Sequence, residues 1–203
     1  MDSFTDRLAS VFLNGGPVMW PLLALSVISL TLSFERLIFW IRNHGPSRRR
    51  WLIRLDARLR ERDDAAARAQ ISKDGSVYAK AAEAILDAPA GSRPTPVELI
   101  ELVRSDAERF SASQSTIITA APLLGILGTV LGIIQSFNLL GGGQAVTDIG
   151  AVASGIGEAL ITTAFGLIVA LITLFPYMAF RAHADRCISA IEAVGEREQA
   201  RRS

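Results

Sequence analysis

The chain has 203 residues, a formal net charge of +1 and a hydrophobic fraction of 50%. Its apolar residues gather in three blocks, which predicts a polytopic membrane protein and argues against a soluble domain with one ordinary core. The single cysteine, Cys187, excludes an intramolecular disulfide, and we interpret it as a small apolar helix residue.

The first apolar block begins at Val18 and predicts transmembrane helix 1 over residues 17–41. A span of roughly 17–25 apolar residues is enough to cross the hydrocarbon core. A cleaved signal peptide is the alternative, but residues 1–16 lack the basic start and the small-residue cleavage site of such peptides. We therefore interpret 1–16 as a periplasmic amphipathic segment and the helix as an uncleaved anchor.

Charge placement predicts the orientation of the chain. Arginines crowd the residues directly after the first block, whereas Asp148 is the only charged residue in the connection between the second and third blocks. By the positive-inside rule, the N-terminus is periplasmic and residues 42–115 form a cytoplasmic helical region. The same rule predicts a periplasmic loop at 141–153 and a cytoplasmic C-terminal helix at 181–203.

An amphipathic helix is predicted over residues 48–64, where Leu52 and Leu55 share an apolar face. Arg48, Arg49 and Arg50 at its start would meet anionic lipid headgroups or the acidic face of a partner. Nucleic-acid binding is the alternative explanation of these arginines. Because membrane topology already accounts for them, we expect no nucleic-acid partner.

Two more helices are expected in the cytoplasmic region. Residues 77–86 predict a short helix that ends at a run rich in proline and glycine. Thr95 and Glu98 form the pattern of a capping box, with Pro96 at the first helical position. Since no strong breaker follows before the membrane, we expect one helix from Pro96 to Leu140.

The second apolar block, Ala121–Phe137, reads APLLGILGTVLGIIQSF and predicts transmembrane helix 2 over 116–140. Its small residues recur at helical spacing, so one face is smooth and weakly polar while the other is bulky. Small residues let neighbouring helices approach closely in a bilayer. We predict a helix-packing role for Gly125, Gly128, Gly132 and, in the third block, Gly166.

The third block, Ser154–Phe180, reads SGIGEALITTAFGLIVALITLFPYMAF and predicts transmembrane helix 3 over 154–180. Glu158 lies near its outer end and is a functional candidate, because a membrane carboxylate is costly unless it faces a bundle interior or water. Solvation by outer headgroups is the alternative. Thr129 and Thr163 either line a polar path or bond to a carbonyl of their own helix.

The predicted fold class is an all-α membrane protein with three transmembrane helices, the second and third extended into a cytoplasmic helical bundle. Hydroxyls do not accept and release protons at neutral pH, and the chain offers no ionisable group at mid-membrane. It is therefore a scaffold, or a partner helix supplies a carboxylate. The sequence contains no metal-ligand cluster, phosphate loop or nucleophile–base pair, so we expect no cofactor and no enzyme.

These motifs, together with Pro21–Arg36 (PLLALSVISLTLSFER), resemble the ExbB/TolQ/MotA family of inner-membrane proton-channel subunits, most closely its ExbB/TolQ-like branch. The resemblance implies a homopentamer around two transmembrane helices of an ExbD/TolR-like single-span partner, whose membrane aspartate carries the proton. It implies pore-facing roles for Thr129 and Thr163 and an outer carboxylate at Glu158. Work would then pass to a TonB- or TolA-like protein.

One position departs from the family pattern, because Ser154-Gly155 stands where the family usually has a proline before the Gly-Ile-Glu region. Two other functions remain open from the sequence. A flagellar or gliding stator subunit would usually have four spans and a larger cytoplasmic domain. A structural membrane scaffold would need neither Glu158 nor the threonines.

Overall fold

A computed structural model describes residues 16–43, 48–61, 63–72, 74–89, 94–141 and 149–200. These residues form α-helices joined by short connections, and none of them lies in a strand. The helices are α1 (Met19–Asn43), α2 (Arg48–Glu61), α3 (Asp64–Ile71), α4 (Val77–Asp87), α5 (Pro96–Ala107), α6 (Ser111–Gly141) and α7 (Ile149–Ala200). The predicted all-α fold class is confirmed.

Three of these helices are long and apolar enough to cross a membrane, as predicted. The candidate spans are Met19–Asn43, Ser111–Asn138 and Val152–Arg197. Both α6 and α7 continue through an internal proline, Pro122 and Pro176 respectively. Neighbouring helices and polar side chains satisfy the backbone groups that such prolines free in a membrane.

The chain divides into two compact units. The span unit contains the described residues up to Ser33 together with Ala112–Tyr177. Its apolar core consists of Val18, Met19, Leu22, Ile117, Ala121, Val169 and Ala170. Two polar contacts attach α1 within this unit: the Ser29 and Thr173 hydroxyls lie 2.6 Å apart, and Gln114 Nε2 donates to Ser33 Oγ at 3.2 Å.

The cluster unit contains Phe34–Ser111 and the described residues from Met178 onward. Its larger apolar cluster joins residues of α1, α4, α5 and α7, among them Trp40, Ile85, Leu99, Val103 and Ile191. A second cluster seats the apolar face of α2 on α3 and α4 through Leu55, Ala67, Ile71, Ala79, Ala82 and Leu86. The core of this unit therefore combines large apolar side chains with alanines.

Local signals in the cluster unit give the predicted helices. The short helix expected at 77–86 is α4, whose N-cap Ser76 accepts the Ala79 N–H. The capping box at Thr95 is confirmed: Thr95 Oγ1 accepts the Glu98 N–H and the Glu98 carboxylate accepts the Thr95 N–H. These side chains satisfy amides that the first turn of a helix leaves without partners.

The expectation of one helix from Pro96 to Leu140 is wrong. Helix α5 ends at Ala107 and α6 begins at Ser111, with Phe110 between them in a left-handed backbone conformation (φ 65°). No glycine or proline marks this break, since residues 108–110 read ERF. At this break Arg36 of α1 donates to the Asp106 carbonyl at 2.9 Å.

Parts of several predictions lie outside the described residues. The amphipathic segment at 1–16 falls there except for its last residue, and the loop at 141–153 falls there over 142–148. Helix α2 includes Arg48 and Arg49, but their side chains lie outside the description, whereas Arg50 is exposed. The domain boundaries and the lipid-facing role of these arginines stay predictions.

Candidate functional site

The glycines of α6 bring its backbone against the backbone of α7. A Cβ built on Gly125 would lie 2.9 Å from Thr163 Cα and 3.0 Å from the Thr162 carbonyl oxygen. A Cβ on Gly166 of α7 would lie 2.5 Å from the Ala121 carbonyl oxygen and 3.1 Å from Gly125 Cα. Because these neighbours are backbone atoms, any side chain here would push the helices apart.

Towards the connection between the two helices, the close approach continues through small side chains. A Cβ on Gly132 would lie 2.6 Å from Ala159 Cβ, and one on Gly128 would collide with the Thr162 side chain. On α7, a Cβ on Gly155 would collide with the Ser136 hydroxyl. We call this contact line of α6 and α7 the small-residue seam.

Hydroxyls line the seam. Thr163 Oγ1 donates to the Gly125 carbonyl at 2.8 Å and lies 3.5 Å from Thr129 Oγ1. Thr129 Oγ1 donates to the Ile126 carbonyl of its own helix at 2.7 Å. The structure thus brings the two sequence-predicted threonines together, with Thr163 bonded across the helix pair and Thr129 bonded within α6.

Sequence reasoning missed Thr162, which is more deeply buried than either threonine. Its side chain is 1% exposed and donates to the Ala159 carbonyl at 2.7 Å and to the Gly125 carbonyl at 3.3 Å. The signal was the spacing of Gly155, Ala159, Thr162 and Gly166, which places them on one helix face. Thr162 therefore lies in the seam and Thr163 at its edge.

Glu158 lies in the first part of α7 and is half-buried. Ser154 Oγ, one turn earlier, donates to its carboxylate at 3.5 Å. The carboxylate precedes Thr163 by five residues, which corresponds to a rise of about 7.5 Å along the helix. Along α7 the acid therefore precedes the hydroxyls of Thr162 and Thr163.

The site has no donor set for a metal within the part of the chain that is described, where no group of three His, Cys, Asp or Glu side chains converges. The polar atoms between α6 and α7 are hydroxyls and backbone carbonyls, and the Glu158 carboxylate lies earlier on α7. Such groups can solvate a cation or a proton carrier that passes along them. The fold and the site together define a helical membrane protein whose described residues include three candidate spans, with a polar seam between the second and the third.

Comparison with known proteins identifies the family of this membrane protein. Residues 87–193 match the model of the MotA/TolQ/ExbB proton channel family, which covers more than half of the chain. The chain belongs to that family. The family and the apolar helices make it an inner-membrane channel protein and not an enzyme.

Individual relatives agree with the family assignment. The chain is 38% identical to the putative biopolymer transport protein ExbB-like 1 of Synechocystis sp., over 94% of this chain and 77% of the relative. A second protein of that organism, ExbB-like 3, is 34% identical over 83% of this chain and 82% of its own length. The Tol-Pal system protein TolQ of Pseudomonas aeruginosa is 37% identical over 42% of this chain and 38% of its length.

Proposed function

We propose that this chain is the channel subunit of an inner-membrane motor that uses the proton-motive force to energise a TonB- or TolA-like protein. The observation that supports this most directly is the small-residue seam, where Thr163 Oγ1 lies 3.5 Å from Thr129 Oγ1 in helices long enough to span. The relatives are named as biopolymer transport and Tol-Pal proteins, and these names favour the same function.

The proton carrier in this proposal comes from a partner. Helix α6 contains no charged residue, and Glu158 is the only charged residue of α7 before Arg181. Hydroxyls alone do not take up and release protons at neutral pH, so the seam needs a carboxylate from elsewhere. An ExbD/TolR-like single-span protein would supply it as an aspartate, with a homopentamer of this chain around two partner helices.

Each site residue then has a distinct role. The hydroxyl oxygens of Thr129 and Thr163, whose protons bond to carbonyls, accept a hydrogen bond from the partner's carboxyl group in its protonated form. Glu158 provides a polar entry on the outer side. The glycines Gly125, Gly128, Gly132 and Gly166 keep α6 and α7 in close contact, so that the hydroxyls hold one position. Arg48, Arg49 and Arg50 anchor α2 to anionic headgroups.

The proposed orientation places the N-terminus in the periplasm and the C-terminus in the cytoplasm. Cysteine labelling tests this orientation. The native Cys187 is fully buried, and Cys187→Ala removes it so that each introduced cysteine is the only thiol. Gly150→Cys should react with an impermeant thiol reagent from the periplasmic side, and Glu196→Cys should react only after the membrane is opened; both positions are exposed. The reverse labelling pattern would contradict the orientation.

Reconstitution tests the function itself. The purified chain should conduct few protons into liposomes, and addition of an ExbD/TolR-like protein should create a flux. That flux should disappear when the partner's membrane aspartate becomes asparagine. Robust conduction by this chain alone would contradict the proposal.

Variants of the hydroxyl pair sharpen the experiment. Thr129→Val and Thr163→Val nearly conserve volume and should leave assembly intact while they lower the partner-dependent flux, and Glu158→Gln should do the same. Thr119→Val is the matched control, because Thr119 is an exposed α6 threonine whose hydroxyl donates to the Ser115 and Thr116 carbonyls of its own helix. If all four variants conduct protons as the wild type does, Glu158 and the two threonines have no role in conduction, and the chain is a structural scaffold.

The flagellar or gliding stator is the weaker alternative. Stators of that kind usually have four spans, whereas three candidate spans lie among the described residues. The ExbB-like relatives are named as biopolymer transport proteins and TolQ as a Tol-Pal protein. Both observations favour the ExbB/TolQ-like function.

A further inference from the structure

The break between α5 and α6 is not explained by its own residues. Glu108, Arg109 and Phe110 contain no helix breaker, and each of them is compatible with a helix interior. Local preference therefore favours a continuous helix from α5 into α6. The observed break requires a stabilising contact from outside the segment.

Phe110 marks the break in the backbone. Among the described residues it is the only one other than glycine with a positive φ, 65°, a conformation that bulky side chains rarely adopt. The next amide, Ser111 N–H, donates to the Glu108 carbonyl at 2.9 Å, three residues back instead of four. The chain thus leaves the α-helical hydrogen-bond pattern for one turn.

Arg36 takes the place of a backbone donor at this turn. Its Nη1 donates to the Asp106 carbonyl at 2.9 Å. In a continuous helix the same carbonyl would accept the N–H of Phe110, four residues later. At the break, the guanidinium therefore satisfies a carbonyl near the end of α5 that lacks its helical donor.

The remaining contacts of Arg36 keep its charge buried at this position. The side chain is 3% exposed, and its Nε and Nη2 donate to the two Glu35 carboxylate oxygens at 2.7 and 3.2 Å. The guanidinium lies over the Phe39 ring, 4.3 Å from its centroid, and 5.6 Å from the centroid of Phe110. Arg36 thus binds the acceptor and the displaced side chain together.

Asp106 is held from its side chain as well. Its carboxylate accepts from Lys80 Nζ of α4 at 2.6 Å. The last turn of α5 is therefore fixed on both its main chain and its side chain.

We propose that Arg36 is a positioning residue that holds a two-state junction between α5 and α6. While Arg36 binds the Asp106 carbonyl, Phe110 is left-handed and the helices are separate. When Arg36 releases it, Phe110 becomes right-handed, its amide bonds to Asp106 and the two helices join. This inference goes beyond the proposed function and does not depend on it.

Amide hydrogen exchange of the full chain in lipid nanodiscs tests the junction. In Arg36→Gln, the amides of Phe110 and Ser111 should exchange on the order of tenfold more slowly, because they enter a helix. A residue that merely stabilises the fold would have the opposite effect, faster exchange. Arg109→Gln is the matched control, since Arg109 is exposed and its guanidinium lies 4.7 Å from the centroid of the Phe110 ring. In this variant the amides of Phe110 and Ser111 should exchange at the wild-type rate.

A substitution pair at Phe110 tests the same two states with Arg36 intact. Phe110→Ala should slow exchange at Ser111, because alanine disfavours a positive φ and favours a helix. Phe110→Gly tolerates the left-handed backbone and should leave exchange unchanged or faster. If Arg36→Gln does not fold, exchange at Ser111 in Phe110→Ala and Phe110→Gly is sufficient to test the two-state junction. Unchanged or faster exchange in Phe110→Ala would overturn the proposal.

Discussion

The span unit and the cluster unit differ in the kind of contact that stabilises each of them internally. In the span unit, α6 and α7 meet backbone to backbone, as the 3.1 Å from a Cβ on Gly166 to Gly125 Cα shows. In the cluster unit, the fully buried side chains of Leu99 and Val103 pack with other large residues. In lipid there is no hydrophobic driving force between helices, so transmembrane helices associate through close packing. In water the hydrophobic effect favours the burial of large apolar side chains.

The polar contacts of the two units differ in the same way. The span unit uses neutral hydroxyls, such as the Ser29–Thr173 pair at 2.6 Å. The cluster unit uses ion pairs, such as Arg68 with Asp87, whose side chains are 52% and 55% exposed. A hydroxyl bond between spans contributes about 0.6 kcal/mol on average and an exposed ion pair about 0–1 kcal/mol. Packing, and not polar bonding, therefore dominates the stability of both units.

The largest effect is expected from truncation of a large side chain in the cluster unit. Leu99 has no exposed surface, so Leu99→Ala removes apolar contacts and leaves a cavity. We expect the free energy of unfolding to fall by about 3 kcal/mol. The midpoint of denaturant or detergent unfolding of the purified chain measures this change.

Leu102→Ala is the control for Leu99→Ala. Leu102 lies on the same helix, α5, but is 41% exposed. Its truncation should change the free energy of unfolding by less than about 1 kcal/mol. Equal losses in both variants would mean that burial in the apolar cluster does not set the stability of this unit.

The sequence predicted those parts of the fold that follow from local rules. The Thr95 capping box and the helix at Val77–Asp87 depend on residues within a few positions of each other. The break at Phe110 is accompanied by a contact of Arg36 with the Asp106 carbonyl, 70 residues away in the chain. No local pattern records such a contact, so the sequence indicated a continuous helix there.

The candidate site divides in the same manner. Glycine spacing on α6 predicted a small-residue face, because that pattern depends only on helical geometry. The sequence did not say which of the adjacent residues Thr162 and Thr163 lies in the seam. Neighbouring residues are about 100° apart on a helix, so that choice depends on the register of α6 against α7. The structure places Thr162 in the seam and bonds Thr163 to the Gly125 carbonyl.

A smaller effect is expected from the addition of one methyl group to the span unit. In Gly166→Ala the new Cβ would lie 2.5 Å from the Ala121 carbonyl oxygen, a backbone atom within α6. Overpacking of this kind costs about 1–3 kcal/mol. The unfolding midpoint of the chain in mild detergent should fall accordingly.

Gly157→Ala separates this clash from the general effect of alanine on a helix. Gly157 lies in the same helix, and a Cβ built there meets no described atom of the chain within 4 Å. Alanine is favoured over glycine in a helix by about 0.8–1 kcal/mol, and this gain is common to both variants. The difference between them therefore measures the close approach alone, and Gly166→Ala should be the less stable one. If both variants are equally stabilised, α6 and α7 are not held in backbone contact at Gly166, and the span unit is packed through its larger side chains as the cluster unit is.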